Sequence, residues 1–105
     1  MKYAKIDATT SGSTTVVAAV ANKRILVLQY TATASVNLNA YFSSNSTAIT
    51  GPLYLGSHGT TMAAYGAMTP AGLVGLFRTE IGEPLNIVLS GSGNAGGHIT
   101  YMVTD

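Results

Sequence analysis

The chain has 105 residues, with five basic and four acidic side chains, 9% charged in all and a net charge of +1. Ordinary globular chains carry about 25% charged residues, and so sparse and balanced a charge offers no electrostatic footprint for a nucleic-acid backbone. Cysteine is absent, which excludes disulfides, thiolate chemistry and cysteine-based metal sites.

A chain of this length makes one domain, 1–105, with a single modest core. The opening segment MKYAKIDATT has no apolar stretch of the kind a signal peptide needs. The longest unbroken apolar run, Val16 to Ala21, has six residues, whereas about 20 are needed to span a bilayer. A soluble protein without an export signal or membrane contact is expected.

The apolar period is two. From Arg24 to Ala34, Leu26, Leu28, Tyr30 and Ala32 share one face, and Ile25, Val27, Gln29 and Thr31 share the other. A segment apolar on both faces suits a central strand, or one whose outer face meets a partner. Next, Leu38, Ala40 and Phe42 point in while Asn37, Asn39 and Tyr41 point out. Leu85, Ile87 and Leu89 alternate with Asn86, Val88 and Ser90. Finally Ile99, Tyr101 and Val103 oppose His98, Thr100, Met102 and Thr104. Turn signals separate these runs at intervals of roughly eight to twelve residues, as in all-β chains. Strands are predicted near 2–8, 14–21, 24–34, 36–43, 52–57, 60–65, 73–78, 84–90 and 97–104. About eight or nine short strands fit an all-β, antiparallel two-sheet sandwich of jelly-roll type. A closed barrel has the same alternation.

Catalytic chemistry finds little footing. His58 and His98 lack a carboxylate at a characteristic spacing, and Ser57 sits in no nucleophile elbow. The two histidines, two Asp and two Glu lie far apart in sequence, with no metal-ligand spacing; a calcium site would have to draw on Asp7 or Asp105 with loop carbonyls. The run from Ser90 to Gly97 lacks the Lys-Ser/Thr of a phosphate loop and leads into a strand, so it reads as a hairpin connection with positive-φ positions. Glu80 and Glu83 read as a solvated turn, one of them paired with Arg78, Lys23 or Arg24. Neither enzymatic activity nor a metal or cofactor is expected.

An interface is the better expectation. Outward-phase Ile25, Val27, Tyr41, Tyr54, Val88 and Met102 have the aromatic and methionine-rich character of interface centres, which are depleted of charge. Lys23 and Arg24 are the basic pair available to an acidic partner surface. A second function class is a shallow sugar site built from Tyr41 and Tyr54 with Asn37, Asn39 and His58.

Four segments carry a resemblance: Gly51-Pro52-Leu53-Tyr54-Leu55, Gly75-Leu76-Phe77-Arg78-Thr79, Gly82 to Ser90, and Gly96-Gly97-His98-Ile99-Thr100-Tyr101. With the upstream run Lys23 to Thr33, they resemble small bacteriophage virion proteins. The resemblance implies a β-sandwich subunit of a phage particle, foremost a capsid decoration or cement protein. Its expected partners are the major capsid protein or another virion protein and two further copies of itself in a trimer, at the capsid surface. The alternative it leaves open is a tail, neck or fibre-associated module that binds a host-surface glycan.

Overall fold

A computed structural model describes residues 2–55, 62–65, 67–69 and 72–105, so Ser57 and His58 lie outside the described residues. Among the described residues every regular element is a strand. In chain order these are β1 (Lys2–Ala8), β2 (Gly12–Val17), β3 (Arg24–Ala34), β4 (Leu38–Ser44), β5 (Thr47–Ala48) and β6 (Leu53–Leu55). They continue with β7 (Met62–Tyr65), β8 (Ala67–Thr69), β9 (Gly72–Val74), β10 (Phe77–Arg78), β11 (Leu85–Leu89) and β12 (Ala95–Thr104).

The pairing is antiparallel throughout the ladders, and the long strands are divided between two sheets. In the first sheet β1 lies beside β12, β12 beside β3, and β7 and β10 both pair with the far edge of β3. In the second, β2 lies beside β11, β11 beside β4, and β5 and β6 both pair with the far edge of β4. The orders β1-β12-β3-β7 and β2-β11-β4-β6 run in step, so each strand pair of one sheet continues as a pair of the other. This is the jelly-roll arrangement. β8 and β9 form a separate two-stranded ribbon.

The core lies between the two sheets. Ile6, Ala8, Tyr30, Ala32 and Ile99 from the first sheet meet Ala40, Phe42, Leu55, Leu85, Ile87 and Leu89 from the second. Three rings tie the sheets together. Tyr30 meets Phe42 edge-on at 5.3 Å between centroids, and Phe42 lies 5.1 Å from Phe77. Such pairs add about 0.5–1.5 kcal/mol beyond the area they bury.

Two β-bulges correct the expected strand phases. Opposite β12, Thr100 pairs with Gln29 but Tyr101 pairs with Val27, leaving Leu28 without a partner residue. A one-residue insertion reverses the inward face. Ile25 and Val27 therefore point inward before the bulge, and Tyr30, Ala32 and Ala34 after it; Ile25 and Val27 are 1% and 0% exposed. The outward phase expected for these two residues is wrong. Leu28 is itself buried but stands outside the core cluster. A second bulge inserts Val16 into β2, between Val17 opposite Leu85 and Thr15 opposite Asn86. β2 also ends at Val17, and Ala18, Ala19 and Val20 are exposed, so the predicted strand over 14–21 ends too late.

The glycines just before β12 and in its first residues are structural. Gly97 has φ of 148°, and a Cβ there would stand 1.8 Å from the Thr31 carbonyl oxygen. At Gly93, with φ of 146°, a Cβ would stand 2.5 Å from a Val36 methyl. The connection from β11 to β12 is not the expected hairpin, because the two strands lie in different sheets; it is fastened by Ser35, whose N–H donates to the Asn94 carbonyl at 2.8 Å. Its Oγ accepts the Asn94 N–H at 2.9 Å.

Deleting Leu28 restores strict alternation and must turn either Ile25 and Val27 or Tyr30, Ala32 and Ala34 out of the core. The deletion is expected to abolish the cooperative thermal transition. Leu28→Ala keeps the residue count and is expected to unfold cooperatively at a cost of about 2–5 kcal/mol. A cooperative, parent-like melt of the deletion protein would contradict this account of the bulge.

Burial raises the pKa of the Tyr30 hydroxyl. The folded chain then keeps a proton that the unfolded chain loses. Stability is intact below the unfolded value of about 10 and falls as the pH rises from there through the higher folded value. Between about pH 9 and about pH 11, the melting temperature of Tyr30→Phe is expected to fall less than that of the parent.

Candidate functional site

The outer face of the second sheet is assembled in three cross-strand rows. Ser13 of β2 lies opposite Val88 of β11, and Val88 opposite Tyr41 of β4. Thr15, Asn86 and Ser43 form a parallel row. In the third, Ser90 just beyond β11 lies beside Asn39 of β4, and Asn39 opposite Tyr54 of β6. Alternation gives all nine the outer phase, because their neighbours Leu38, Ala40, Phe42, Leu55, Leu85, Ile87 and Leu89 fill the core, although Ser43 and Asn86 are covered there, at 1% and 7% exposure.

Not one of the nine carries a charge. The charged residues lie elsewhere. Lys2, Lys5 and Asp7 stand on β1, an edge of the first sheet. The others collect around the start of β3, the end of β12 and the turn between β10 and β11. There Lys23 binds Asp105, Arg24 lies 3.8 Å from Glu80, and the Ser44 hydroxyl donates to Glu83 at 2.6 Å. The hydrogen bond and the charge of Lys23 hold the Asp105 carboxyl below its ordinary pKa.

The third row opens into a recess of about 440 Å³, lined by Asn37, Leu38, Asn39, Tyr54, Leu55 and Ser90. Its floor is apolar, since Leu38 and Leu55 are buried. Its rim is polar and aromatic, with Tyr54 exposed to 72%. The backbone beneath it is held twice. The Asn39 N–H donates to Ser90 Oγ at 2.9 Å, and the Ser90 N–H donates to the Asn39 carbonyl at 2.8 Å. In the neighbouring row, Asn86 Nδ2 donates to the Asn45 carbonyl at 3.0 Å, while its Oδ1 is buried without a partner.

The expected interface residues are thus divided. Tyr41, Tyr54 and Val88 share the charge-free face. Met102 stands on the first sheet, opposite Leu26. Ile25 and Val27 belong to the core, and Lys23 and Arg24 already have acidic partners within the chain. Ser13, Thr15, Ser43, Asn86 and Ser90 were missed as members of the face. Their signal was the alternation itself, which marks hydroxyl and amide positions as clearly as aromatic ones.

Of the paired carboxylates, Glu80 lies near Arg24 and Glu83 accepts from Ser44. Asp7 lies 4.0 Å from Lys5, and His98 is exposed on β12 between Lys5 and Thr31. Among the described residues no three His, Asp or Glu side chains gather to hold a metal ion, and no helix is long and apolar enough to cross a membrane. Comparisons with family models, with curated proteins and with solved structures find no match.

Hydroxyl groups that take over a ladder position should matter according to their burial. Thr79 Oγ1 accepts the Ile25 N–H at 3.0 Å in the dry interior. Thr79→Val is expected to cost about 1–3 kcal/mol, and Ser90→Ala, where water can replace the hydroxyl, about 0.5–1.5 kcal/mol. Denaturant midpoints of the two variants give the comparison.

Proposed function

We propose that this chain is a structural subunit of a virus particle, a capsid decoration protein that binds its neighbours through the outer face of the second sheet. The observation that carries the proposal is the concentration of Tyr41, Val88 and Tyr54 on a face from which all charge is excluded, in a chain that does carry charge at its β1 edge and around the start of β3. Covering a charged side chain costs several kcal/mol unless a partner neutralises it. Covering hydroxyls, amides, an aromatic ring and a valine costs far less, because each polar group needs only a hydrogen bond. Interface centres are depleted of charge and enriched in tyrosine for this reason. The resemblance of the strand and turn segments to small phage virion proteins supplies the identity of the assembly.

Decoration acts by contact area. A subunit seated across a capsomer junction adds binding energy where the shell is strained, and repetition on a symmetric lattice multiplies a modest single-site affinity. Threefold self-association would close the subunits into a ring. The proposed partner is the major capsid protein or a neighbouring virion protein, and the proposed location is the capsid surface.

Val88 lies at the centre of the middle row and is only partly buried, so Val88→Asp leaves the core intact while placing a charge in the proposed contact. Its occupancy on particles of the parent virus, measured by quantitative gel analysis after dilution, is expected to fall by about tenfold or more. The same loss is expected at low and high salt, since no charge of this face takes part. Parent-like occupancy of Val88→Asp would refute the assignment of this face. Sedimentation of the free protein as a monomer at all concentrations would remove self-association in solution from the proposal.

A further inference from the structure

The recess at the end of the charge-free face has features that protein–protein contact does not require. We propose that it binds a neutral pyranose sugar, with the Tyr54 ring against the C–H face of the sugar and with Asn39 and Ser90 hydrogen-bonded to its hydroxyls. The site goes beyond the decoration role, and it leaves Tyr41 and Val88 for the contact described above.

Four observations converge on this ligand chemistry. The first is size, since about 440 Å³ lies within the range of small-molecule sites, about 300–1,000 Å³. The second is the uncovered ring. Tyr54 is 72% exposed while its neighbour Leu55 is buried beneath it, so the aromatic side chain stands up from a fixed floor. A ring in that position has an apolar surface to bury and a hydroxyl that stays wet.

The third is the hydrogen-bonding inventory. A sugar hydroxyl both donates and accepts, and an amide side chain offers both functions together. Ser90 Oγ already accepts the Asn39 N–H. Its proton is left free to be donated to another acceptor, such as a hydroxyl bound in the recess that Ser90 lines. An apolar ligand would satisfy the ring but leave these polar groups unpaired, at a cost of about 1–3 kcal/mol for each one buried.

The fourth is neutrality. Among the described residues, neither the recess nor the face around it carries a charge. A phosphate, a carboxylate sugar or an ammonium ligand would lose its water here with no counter-charge to replace it. The recess is also preorganised. The Asn39 main chain is held by two hydrogen bonds with Ser90, its N–H donating to the Ser90 hydroxyl and its carbonyl accepting the Ser90 N–H, and by its register opposite Tyr54 in the β4–β6 pair. A site built on strands holds its geometry more tightly than one on a loop.

The test uses the full chain and ligand-observed saturation-transfer NMR. The probes are the methyl glycosides of glucose, galactose, mannose and N-acetylglucosamine, with sialic acid and inorganic phosphate as charged controls. At least one neutral glycoside is expected to receive saturation and to shift the Tyr54 ring resonances in a saturable way. Tyr54→Ala is expected to weaken that binding by about tenfold or more, and Tyr54→Phe, which keeps the ring, by less than about threefold. Tyr41→Ala, outside the recess, is expected to bind like the parent. Circular dichroism of each variant confirms the fold. The proposal is overturned if no neutral glycoside binds, if Tyr54→Ala binds as tightly as the parent, or if the charged controls bind as well as the neutral sugars.

Discussion

The pairing of β3 with β12, and the bulge at Leu28 within it, is the constraint on which the rest of the molecule depends. β3 is the longest strand, and three of its neighbours, β7, β10 and β12, read their register from it. Because the bulge reverses its inward face, one strand supplies Ile25 and Val27 to one part of the core and Tyr30, Ala32 and Ala34 to another. The same interruption lies beside the point where β10 joins. The Leu76 N–H donates to the Val27 carbonyl at 2.7 Å, Phe77 takes its place opposite Val27, and Thr79 closes the strand end against Ile25. Phe77 then reaches Phe42 of the opposite sheet, so the three-ring cluster depends on the bulge as well.

The sandwich itself was legible because period-two alternation is unambiguous in β4, β11 and β12. Leu38, Ala40 and Phe42 alternate with Asn37, Asn39, Tyr41 and Ser43, and Leu85, Ile87 and Leu89 alternate with Asn86, Val88 and Ser90, so each set leaves one strongly apolar face. β1 and β3 were placed to the residue. The errors came where apolar residues adjoin. Val16-Val17 and Ile25 through Leu28 read as double-faced strands or as strands with a sticky outer face. Both runs are phase reversals, in which each half of the strand has a single inward face and the inserted residue changes sides. Periodicity alone does not distinguish these cases, because a bulge and a two-faced strand write the same letters. The register of the partner strand decides, and that is long-range information. The rows of the outer face were legible strand by strand, but which rows lie side by side follows from the jelly-roll strand order, which alternation does not encode.

Away from the β1 edge with its Lys2 and Lys5, a chain so sparse in charge ends its strands largely without the lysine and glutamate side chains that commonly protect edges. Here hydroxyls take that part. Thr79 accepts the Ile25 N–H, Thr50 the Phe42 N–H, Ser90 the Asn39 N–H and Ser35 the Asn94 N–H. Each serves a main-chain donor where the regular ladder gives out, at or beside a strand end or, for Phe42, in the gap between the pairings of β4 with β6 and with β5. An N–H left unpaired in the interior costs about 1–3 kcal/mol, so these contacts matter most where burial is deepest. The abundance of Ser and Thr is therefore part of how the fold closes, not only a substitute for surface charge.

That use of hydroxyls bears on how the outer face can work. A face made soluble by charge resists being covered, because every charge must be neutralised or stripped of water. A face made soluble by Ser, Thr, Asn and Tyr keeps its hydration through hydrogen bonds that a partner can replace one for one. The charged groups of this chain are set apart on the β1 edge and around the start of β3, several of them in ion pairs, and they meet the second sheet only at its Ser44 end, where Glu83 accepts from the Ser44 hydroxyl. The division leaves one sheet face whose desolvation cost is low and whose specificity must come from shape and hydrogen-bond geometry. Flat complementarity with another protein uses the middle rows, around Val88 and Tyr41. The concave end, with its rigid Asn39–Ser90 ladder and its single uncovered ring, suits a small ligand whose own hydroxyls complete the pattern.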